Sequence, residues 1–248
     1  MNTTATDQPT RLWNTRYGVA AAIPTIDPVA RAMQLYGEWA EQEIDLLSAI
    51  VEEGHSVLEA GGDYGAHALW LARAVGLDGR VHVAEPRRIA FQQLCANVAI
   101  NGLANVHTYP VWLGRSSGRS TLGALLPETS SPTEAVRTET IDSLALDALH
   151  LLKVNLRGAL HDVLTGATET LRRHRPMLYV RLSGIDMAET EVQAIKDLGY
   201  RVWSHVPYLY NPANHAGHTA NVFPGIVQQN AIAAPVESRF EFEERLEL

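Results

Sequence analysis

A short glycine-rich stretch with flanking acids carries the clearest chemical signal in the sequence. In the run Val-Leu-Glu-Ala-Gly-Gly-Asp-Tyr-Gly, apolar residues end at Glu59, and Gly61, Gly62, Asp63 and Gly65 follow. Glycines let the backbone take up positive φ and approach a ligand closely. The dinucleotide fingerprint GxGxxG is not met, because an acid replaces its second glycine and would repel a pyrophosphate. The stretch therefore favours a ligand that carries positive charge, with Glu59 facing that charge.

A second acid follows the next apolar run, which ends Val-Ala-Glu-Pro at Glu85 and Pro86. A carboxylate at a strand end can accept hydrogen bonds from both hydroxyl groups of a ribose. In open α/β sheets, ligands bind beyond the carboxyl ends of the strands. We therefore expect Glu59 and Glu85 to bracket one nucleoside pocket, with Pro86 beside it. The alternative for Glu85 is a solvated acid at the start of a loop.

Strands and helices alternate around these acids. Short apolar runs typical of strands occupy residues 56–60, 80–84, 106–111, 151–154, 177–182, 200–204 and 223–233. Apolar residues at helical spacing occupy residues 36–51, 66–75, 88–101, 159–174 and 188–198. This alternation predicts a doubly wound α/β fold with a mostly parallel sheet. Because no helix is evident between the last two runs, they are expected to form an antiparallel pair at one edge.

No internal repeat or linker divides the chain, so one domain over residues 36–236 is predicted. Residues 1–35 are expected to be an extension that lies across the site or extends the core, and Pro24 and Pro28 interrupt any long helix there. Residues 237–248 are expected to be a solvated acidic tail.

Composition argues against several classes of partner. The formal net charge is −8 and no run of Lys and Arg occurs, which argues against nucleic acid. No apolar stretch approaches the roughly 20 residues that span a bilayer, and no secretory signal is evident. The single cysteine, Cys95, excludes an internal disulfide. A cytoplasmic protein is the expectation.

The order and spacing of several short pieces resemble the FkbM-type methyltransferases, a branch of the S-adenosylmethionine-dependent class. The resemblance extends from residue 36 to residue 235. Its pieces lie at residues 36–43, 59–65, 85–86, 94–97, 101–102, 140–144, 152–159, 211–214 and 221–225.

The resemblance implies a seven-stranded sheet of the class I methyltransferase-like Rossmann type and S-adenosylmethionine as cofactor. It also implies O-methylation of a sugar or natural-product hydroxyl, and Glu38 and Glu43 near the methionine end of the cofactor. Two departures stand out. Asp63 occupies a position where the family commonly has Asn. The usual Lys-Ile-Asp-Val-Glu-Gly reads Lys-Val-Asn-Leu-Arg-Gly, so Asn155 and Arg157 replace two acids.

These replacements shape the expected chemistry of the methyl acceptor. Asn155 ends the fourth strand, where an amide can position an acceptor but cannot take its proton. Arg157 is permanently charged and suited to two-point binding of a carboxylate or phosphate. Either the acceptor carries an anionic group that Arg157 binds, or Arg157 pairs with an internal acid such as Asp162.

The C-terminal loops supply the candidate bases and the acceptor pocket. His205 and His215 are predicted as bases, because histidine titrates near neutral pH. Tyr208 and Tyr210 are predicted to line the acceptor pocket, with ordinary edge-strand packing as the alternative. His215 and His218 have no clear third ligand nearby, so no metal site is predicted.

The leading hypothesis is an active methyltransferase whose partner is a small-molecule acceptor, with a homodimer as an open expectation. The alternative is a binding or scaffold protein that keeps the fold but has lost catalysis, motivated by Asn155 and Arg157. A nicotinamide-dependent oxidoreductase is disfavoured by the incomplete GxGxxG pattern.

Overall fold

A computed structural model of the 248-residue chain describes residues 11–22, 27–126, 131–242 and 245–248. Its strands are β1 Arg11–Thr15, β2 Gly18–Ala22, β3 Ser56–Ala60, β4 Arg80–Ala84, β5 Val106–Tyr109, β6 Val111–Leu113, β7 Gly118–Thr121, β8 Ala135–Glu139, β9 Leu151–Val154, β10 Met177–Arg181, β11 Tyr200–His205 and β12 Asn230–Pro235. Its α-helices are α1 Pro28–Tyr36, α2 Glu41–Leu47, α3 Ala66–Ala74, α4 Arg88–Ile100, α5 Leu122–Leu125, α6 Leu160–Thr165, α7 Thr168–His174 and α8 Ile185–Asp197. A 3₁₀ turn spans Asp142–Leu144.

The central sheet has seven strands in the order β11-β12-β10-β9-β3-β4-β5. Strands β10, β9, β3, β4 and β5 run parallel, whereas β12 is antiparallel to both β10 and β11. The predicted seven-stranded, mostly parallel sheet with an antiparallel edge pair is therefore confirmed.

Alternate residues of the strands pack on opposite faces of the sheet. On β3, Leu58 and Ala60 join the apolar cluster that includes α6, α7 and α8, while Val57 joins the cluster that includes α2, α3 and α4. Side chains of successive strand residues point to opposite faces, so both faces of a buried parallel strand must be apolar. The helices therefore cover the sheet on two sides, as a doubly wound fold requires.

Several element boundaries differ from the predicted ones for identifiable reasons. The predicted strand 106–111 divides at Pro110, which has no N–H to donate to a ladder. After Pro110, β6 leaves the central sheet and pairs with β8, which also pairs with β7. The sequence did not predict this small three-stranded sheet. The predicted strand 223–233 begins only at Asn230.

Two predicted helices are also shorter than expected. The predicted helix 36–51 is α2 alone, because α1 already ends at Tyr36 and Gly37 caps it with φ 67°. The predicted helix 159–174 is interrupted at Gly166, between α6 and α7. A Cβ at Gly166 would lie 2.0 Å from the carbonyl oxygen of Gly114, so close backbone packing requires glycine there.

The first and last segments of the described chain pack against the central domain. The hairpin β1–β2 lies on α4, where Asn97 is fully buried. The Asn97 amide accepts from the backbone N–H of Ala21 at 2.7 Å and donates to the carbonyls of Ala21 and Tyr64 at 3.1 and 2.8 Å. At the C-terminal end, the segment predicted to be a solvated acidic tail forms ion pairs with the domain. Glu237 pairs with Arg175, and Glu241 and Glu247 pair with Arg201.

The contacts of Asn97 predict a large stability effect. Asn97→Ala removes three buried hydrogen bonds, which Asn97 makes to the backbone N–H and carbonyl of Ala21 and to the carbonyl of Tyr64. We expect the free energy of unfolding to fall by about 3 kcal/mol, since each unsatisfied buried polar group costs roughly 1–3 kcal/mol. Urea denaturation measures the change. The exposed Gln92→Ala on the same helix serves as the control, and equal effects of the two substitutions would contradict the prediction.

Candidate active site

The register of the central strands brings the predicted acids to one edge of the sheet. Ala60 of β3 pairs with Ala84 of β4 and with Val154 of β9. Consequently Gly61, Glu85 and Asn155 are the first residues beyond three neighbouring strand ends. The backbone N–H of Asn155 also donates to the carbonyl of Ala60 at 2.9 Å, which continues the ladder to the start of the loop.

The loop after β3 keeps its shape through close packing. Gly61 has φ +88°, and a Cβ on it would lie 2.7 Å from Leu156. A Cβ on Gly62 would lie 2.1 Å from Val83. Gly65 has φ +84° and precedes the first turn of α3. The loop therefore has no room for larger side chains at its first two positions, and its backbone faces the open edge of the sheet.

A cavity of about 320 Å³ lies at this edge. The residues that line it are Asp27, Pro28, Val29, Trp39, Gly61, Asp63, Arg87, Leu126, Asn155, Leu156, Arg157, Arg181, Leu209, Phe223 and Ile226. Four of the predicted site residues are among them: Gly61, Asp63, Asn155 and Arg157. Asp27 and the first residues of α1, Pro28 and Val29, contribute to the wall.

Glu59 lies directly behind the cavity wall and is 1% exposed. Its Oε1 accepts a hydrogen bond of 2.8 Å from the Asn155 amide, which also donates to the carbonyl of Gly61 at 2.9 Å. Its Oε2 is buried and has no hydrogen-bond partner. One oxygen of this carboxylate is therefore held in place while the other stays unpaired.

Three further ionisable groups surround Glu59 inside the protein. The Nζ of Lys153 lies 3.4 Å from Glu59 Oε1 and 3.2 Å from Glu43 Oε2, and it also donates to Asn155 Oδ1. His67 Nδ1 lies 3.7 Å from Glu59 and 3.8 Å from Glu43. We call Glu43, Glu59, His67 and Lys153 the buried charge cluster; all four are at most 4% exposed.

The charges in this cluster stabilise one another. Burial alone would raise the pKa of both carboxyl groups. The Lys153 ammonium, His67 and the side-chain hydrogen bonds to the carboxylates together outweigh burial, and they lower the pKa of Glu43 and of Glu59 below their ordinary values. Both carboxylates are therefore ionised at neutral pH.

Glu85 is fully buried, and an arginine covers it. Its Oε1 accepts from the backbone N–H and Nε of Arg87 at 2.9 and 2.8 Å, and its Oε2 accepts from Asp63 N at 2.9 Å and Arg87 Nη2 at 3.0 Å. Arg87 also pairs with the Asp63 side chain and lies 3.8 Å from Asp27. Burial alone would lower the pKa of Arg87, but Asp63 and Glu85 raise it. Arg87 thus links the loop, the end of β4 and the start of α1.

Among the described residues, several other predicted site residues do not line the cavity. Glu38 is buried, where it binds Arg16, Asn211 and the backbone N–H of His215. His215 itself is exposed. The Glu38 carboxylate thus joins the N-terminal hairpin to a C-terminal loop, and its predicted cofactor contact stays a prediction.

The C-terminal aromatic residues also lie apart from the described wall. His205 is buried, and its Nδ1 accepts from the Tyr179 hydroxyl at 2.8 Å; burial, followed by Arg245, lowers its pKa to about 4. Tyr208 is exposed, and the Tyr210 hydroxyl donates to the Thr219 carbonyl at 3.0 Å. Their neighbour Leu209 lines the cavity instead. The catalytic and acceptor-binding roles of these three residues stay predictions.

The structure does not pair Arg157 with Asp162, the acid named as its possible internal partner. Asp162 pairs with Arg115, whose Nε lies 2.9 Å from Asp162 Oδ1. Arg157 is exposed and donates through Nε and Nη2 to the Ser183 carbonyl, at 3.2 and 2.6 Å. The guanidinium therefore lies at the cavity without an ion pair to Asp162.

Sequence reasoning missed Lys153, His67 and Arg87 as site residues. Lys153 could have been found, because it is the single charged residue in the apolar run of β9 and stands two positions before Asn155. Arg87 follows Glu85 and Pro86 directly. His67 carries no such signal, because its importance depends on a contact between α3 and α2.

Comparison with known protein families decides the identity. The model of the methyltransferase FkbM domain matches residues 60–202, more than half of the chain. The chain belongs to the FkbM methyltransferase family. It is therefore an S-adenosylmethionine-dependent methyltransferase, and the matched region contains the glycine loop, Glu85 and Asn155. A comparison with curated protein sequences found no match.

Solved structures support the fold of this FkbM methyltransferase. A candidate rRNA methylase from Clostridium thermocellum is 14% identical, with 81% of this chain and 98% of that chain covered and a TM-score of 0.52. Precorrin-6y C5,15-methyltransferase from Geobacter metallireducens is 12% identical, with 78% and 86% covered and a TM-score of 0.50. An FkbM methyltransferase from Methylobacillus flagellatus is 14% identical, with 84% and 55% covered and a TM-score of 0.48. At these identities, the likeness to the first two structures concerns the class I Rossmann-like fold alone.

The residues present fit the family's cofactor. The unpaired Oε2 of Glu59 is a buried acceptor beside a cavity, as a cationic ligand end requires. Gly61 lines the cavity, and a Cβ on it would lie 2.7 Å from Leu156, so glycine lets the loop backbone approach a ligand there. At Glu85, hydroxyl donors would have to replace contacts that Arg87 now makes.

No group of three or more His, Cys, Asp or Glu side chains in the described residues could hold a metal ion. No helix among the described residues is both long and apolar enough to cross a membrane.

The lowered pKa of Glu43 and Glu59 predicts a pH dependence of stability. The folded pKa lies below the unfolded value, so the unfolded state binds more protons in acid and the free energy of unfolding falls as the pH decreases below about 5. Glu43→Gln removes one such group. The free energy of unfolding of this variant should therefore fall less steeply with decreasing pH, and its slope should be smaller by up to about 1.4 kcal/mol per pH unit.

Urea denaturation between about pH 3.5 and 7 measures these slopes. Glu169→Gln, in an exposed ion pair with Arg172, is the matched control and should leave the slope unchanged. Identical slopes for the wild type and Glu43→Gln would contradict the assignment of Glu43 as an ionised buried group.

Proposed function

We propose that this FkbM methyltransferase methylates a hydroxyl or amine of a small molecule that carries an anionic group, such as a natural-product or sugar intermediate, in the cytoplasm. The observation that carries the proposal is the shared cavity, whose wall combines the glycine loop with Asn155 and Arg157. The cofactor side and an anion-binding side chain thus face one space.

The cofactor is proposed to lie along the strand edge between the two acids. Glu59 and the backbone from Gly61 to Gly65 would hold its methionine end, and Glu85 with Pro86 would hold its ribose. Glu43 would act on this end only through Lys153, because it lies behind the wall. When bound, the cofactor supplies a methyl group on a positively charged sulfur.

The chain's own contribution is orientation and exclusion of water. Trp39, Leu209 and Phe223 give the cavity an apolar wall, with Trp39 and Phe223 in edge contact at 6.3 Å. A dry pocket that aligns the reacting atoms is the main requirement for an in-line displacement. Asn155 lines the cavity, but its amide is committed to Glu59, Gly61 and Lys153, so it fixes the floor of the pocket.

Proton removal depends on the acceptor. A free amine needs only orientation, whereas a hydroxyl group benefits from a base by roughly 10²–10⁴-fold. Asp27 and Asp63 are the carboxylates in the described wall, and burial, followed by the neighbouring Asp63, raises the pKa of Asp27. We propose Asp27 as the proton acceptor for a hydroxyl substrate, in place of the more distant histidines.

A small-molecule acceptor is favoured over nucleic acid by charge. The net charge of −8 and the lack of a run of basic residues do not suit a phosphate backbone. Arg157 instead offers a local site for one anionic group. One similar structure is named as an rRNA methylase, so RNA belongs among the acceptors to be tested.

Methyl transfer from radiolabelled S-adenosylmethionine tests the proposal. Paired small acceptors that differ only by a carboxylate or phosphate group are compared, with RNA as a further substrate. Arg157→Ala should raise KM about tenfold or more for the anionic member of a pair and leave KM for its neutral partner unchanged.

The matched control is Arg115→Ala, which removes an exposed arginine that pairs with Asp162. Equal effects of Arg157→Ala on anionic and neutral acceptors would remove the anion-binding role. Labelling of RNA alone would overturn the small-molecule proposal. Cofactor binding without transfer to any acceptor would favour a scaffold protein that has lost catalysis.

A further inference from the structure

The buried charge cluster does not balance. When His67 is neutral, its members contribute two negative charges from Glu43 and Glu59 and one positive charge from Lys153. One negative charge is therefore in excess inside the protein. Burying an uncompensated charge costs several kcal/mol, so such an excess is expected only where a ligand or function requires it.

The groups around the cluster do not supply the missing positive charge. The Asn230 amide donates to Glu43 Oε1 at 2.9 Å and to the Tyr179 hydroxyl at 2.7 Å. That hydroxyl in turn donates to His205, which is neutral because its pKa is lowered to about 4. These neighbours fix the geometry of Glu43 and leave its charge in place.

His67 lies next to both carboxylates, but its hydrogen bond goes to another group. Its Nε2 donates to the Trp39 carbonyl at 3.1 Å, so its Nδ1 faces the carboxylates of Glu43 and Glu59. His67 adds a positive charge only when Nδ1 is protonated as well. While Nδ1 carries no proton, the cluster keeps its single negative charge.

The excess charge lies one side chain away from the cavity. Asn155 lines the cavity and binds Glu59 Oε1 at 2.8 Å, and Glu59 Oε2 has no hydrogen-bond partner. The low polarisability of a protein interior lets a charge act over such a distance. A ligand in the cavity next to Gly61 thus lies within reach of the net charge.

We propose that Glu43 and Lys153 together set a net negative charge at Glu59, and that this charge makes the site prefer the sulfonium cofactor to its thioether product. The inference rests on the cofactor placement proposed above. S-adenosylmethionine and S-adenosylhomocysteine differ by one positive charge at sulfur, and they share the same amino acid, ribose and adenine groups. A site with one excess negative charge therefore distinguishes them and weakens its hold on the product after transfer. Glu43 and Lys153 are positioning residues in this account, since neither lines the cavity.

Calorimetric titration of both ligands at about pH 8.5 tests the proposal. The quantity compared is the Kd of S-adenosylhomocysteine divided by the Kd of S-adenosylmethionine. Glu43→Gln keeps an oxygen for Asn230 and removes the excess charge, so the ratio should fall about tenfold. The double variant Glu43→Gln with Lys153→Met has the wild-type net charge, so its ratio should return to the wild-type value.

Two control variants separate this inference from the cofactor placement. Glu85→Gln should weaken both ligands equally, because both carry the ribose, and the exposed Glu53→Gln should change neither. If Glu43→Gln changes both affinities by the same factor, the charge inference fails while the placement stands. If Glu85→Gln leaves both affinities unchanged, the placement fails and the inference fails with it.

Discussion

Two carboxylates remain ionised inside this protein because one ammonium group lies between them. Lys153 contacts both Glu43 and Glu59 and is fully buried. Removing a single partner from a buried ion pair is strongly destabilising, since the remaining charge has no water to solvate it. The end of β3, the end of β9 and helix α2 are thereby held in one arrangement. The position of the glycine loop depends on that arrangement.

This constraint explains the most prominent departure from the family pattern. Asn155 stands where the family usually has an acid, and its amide donates to Glu59 and to the Gly61 carbonyl. A carboxylate at position 155 would face both acceptors without a proton to donate. The amide thus belongs with the carboxylate at Glu59 and the ammonium at Lys153. Arg157, two residues later, is outside this network and is available to the acceptor side of the cavity.

The sequence was sufficient for the fold and for the strand ends that form the site. Alternation of apolar runs located the sheet, and the positions of Glu59 near the end of β3 and of Glu85 directly after β4 predicted a shared edge, which the register confirms. The roles of His205 and of Arg87 depend on side-chain contacts between distant segments, which periodicity does not report. His205 is the last residue of the edge strand β11 and hydrogen-bonds Tyr179, and Arg87 folds back on an acid two residues before it. Lys153 was visible as a charge in an apolar strand, but its partner Glu43 comes from a separate helix.

The central claim is that the strand edge between Glu59 and Glu85 holds the cofactor. A crystal structure of the protein with S-adenosylhomocysteine tests it most directly. The account predicts the ribose hydroxyls on the Glu85 carboxylate, with the Arg87 side chain displaced from it and its ion pair with Asp63 kept, and the amino group of the ligand on the Glu59 side of the glycine loop. A ligand bound elsewhere, with Arg87 still covering Glu85, would contradict the account.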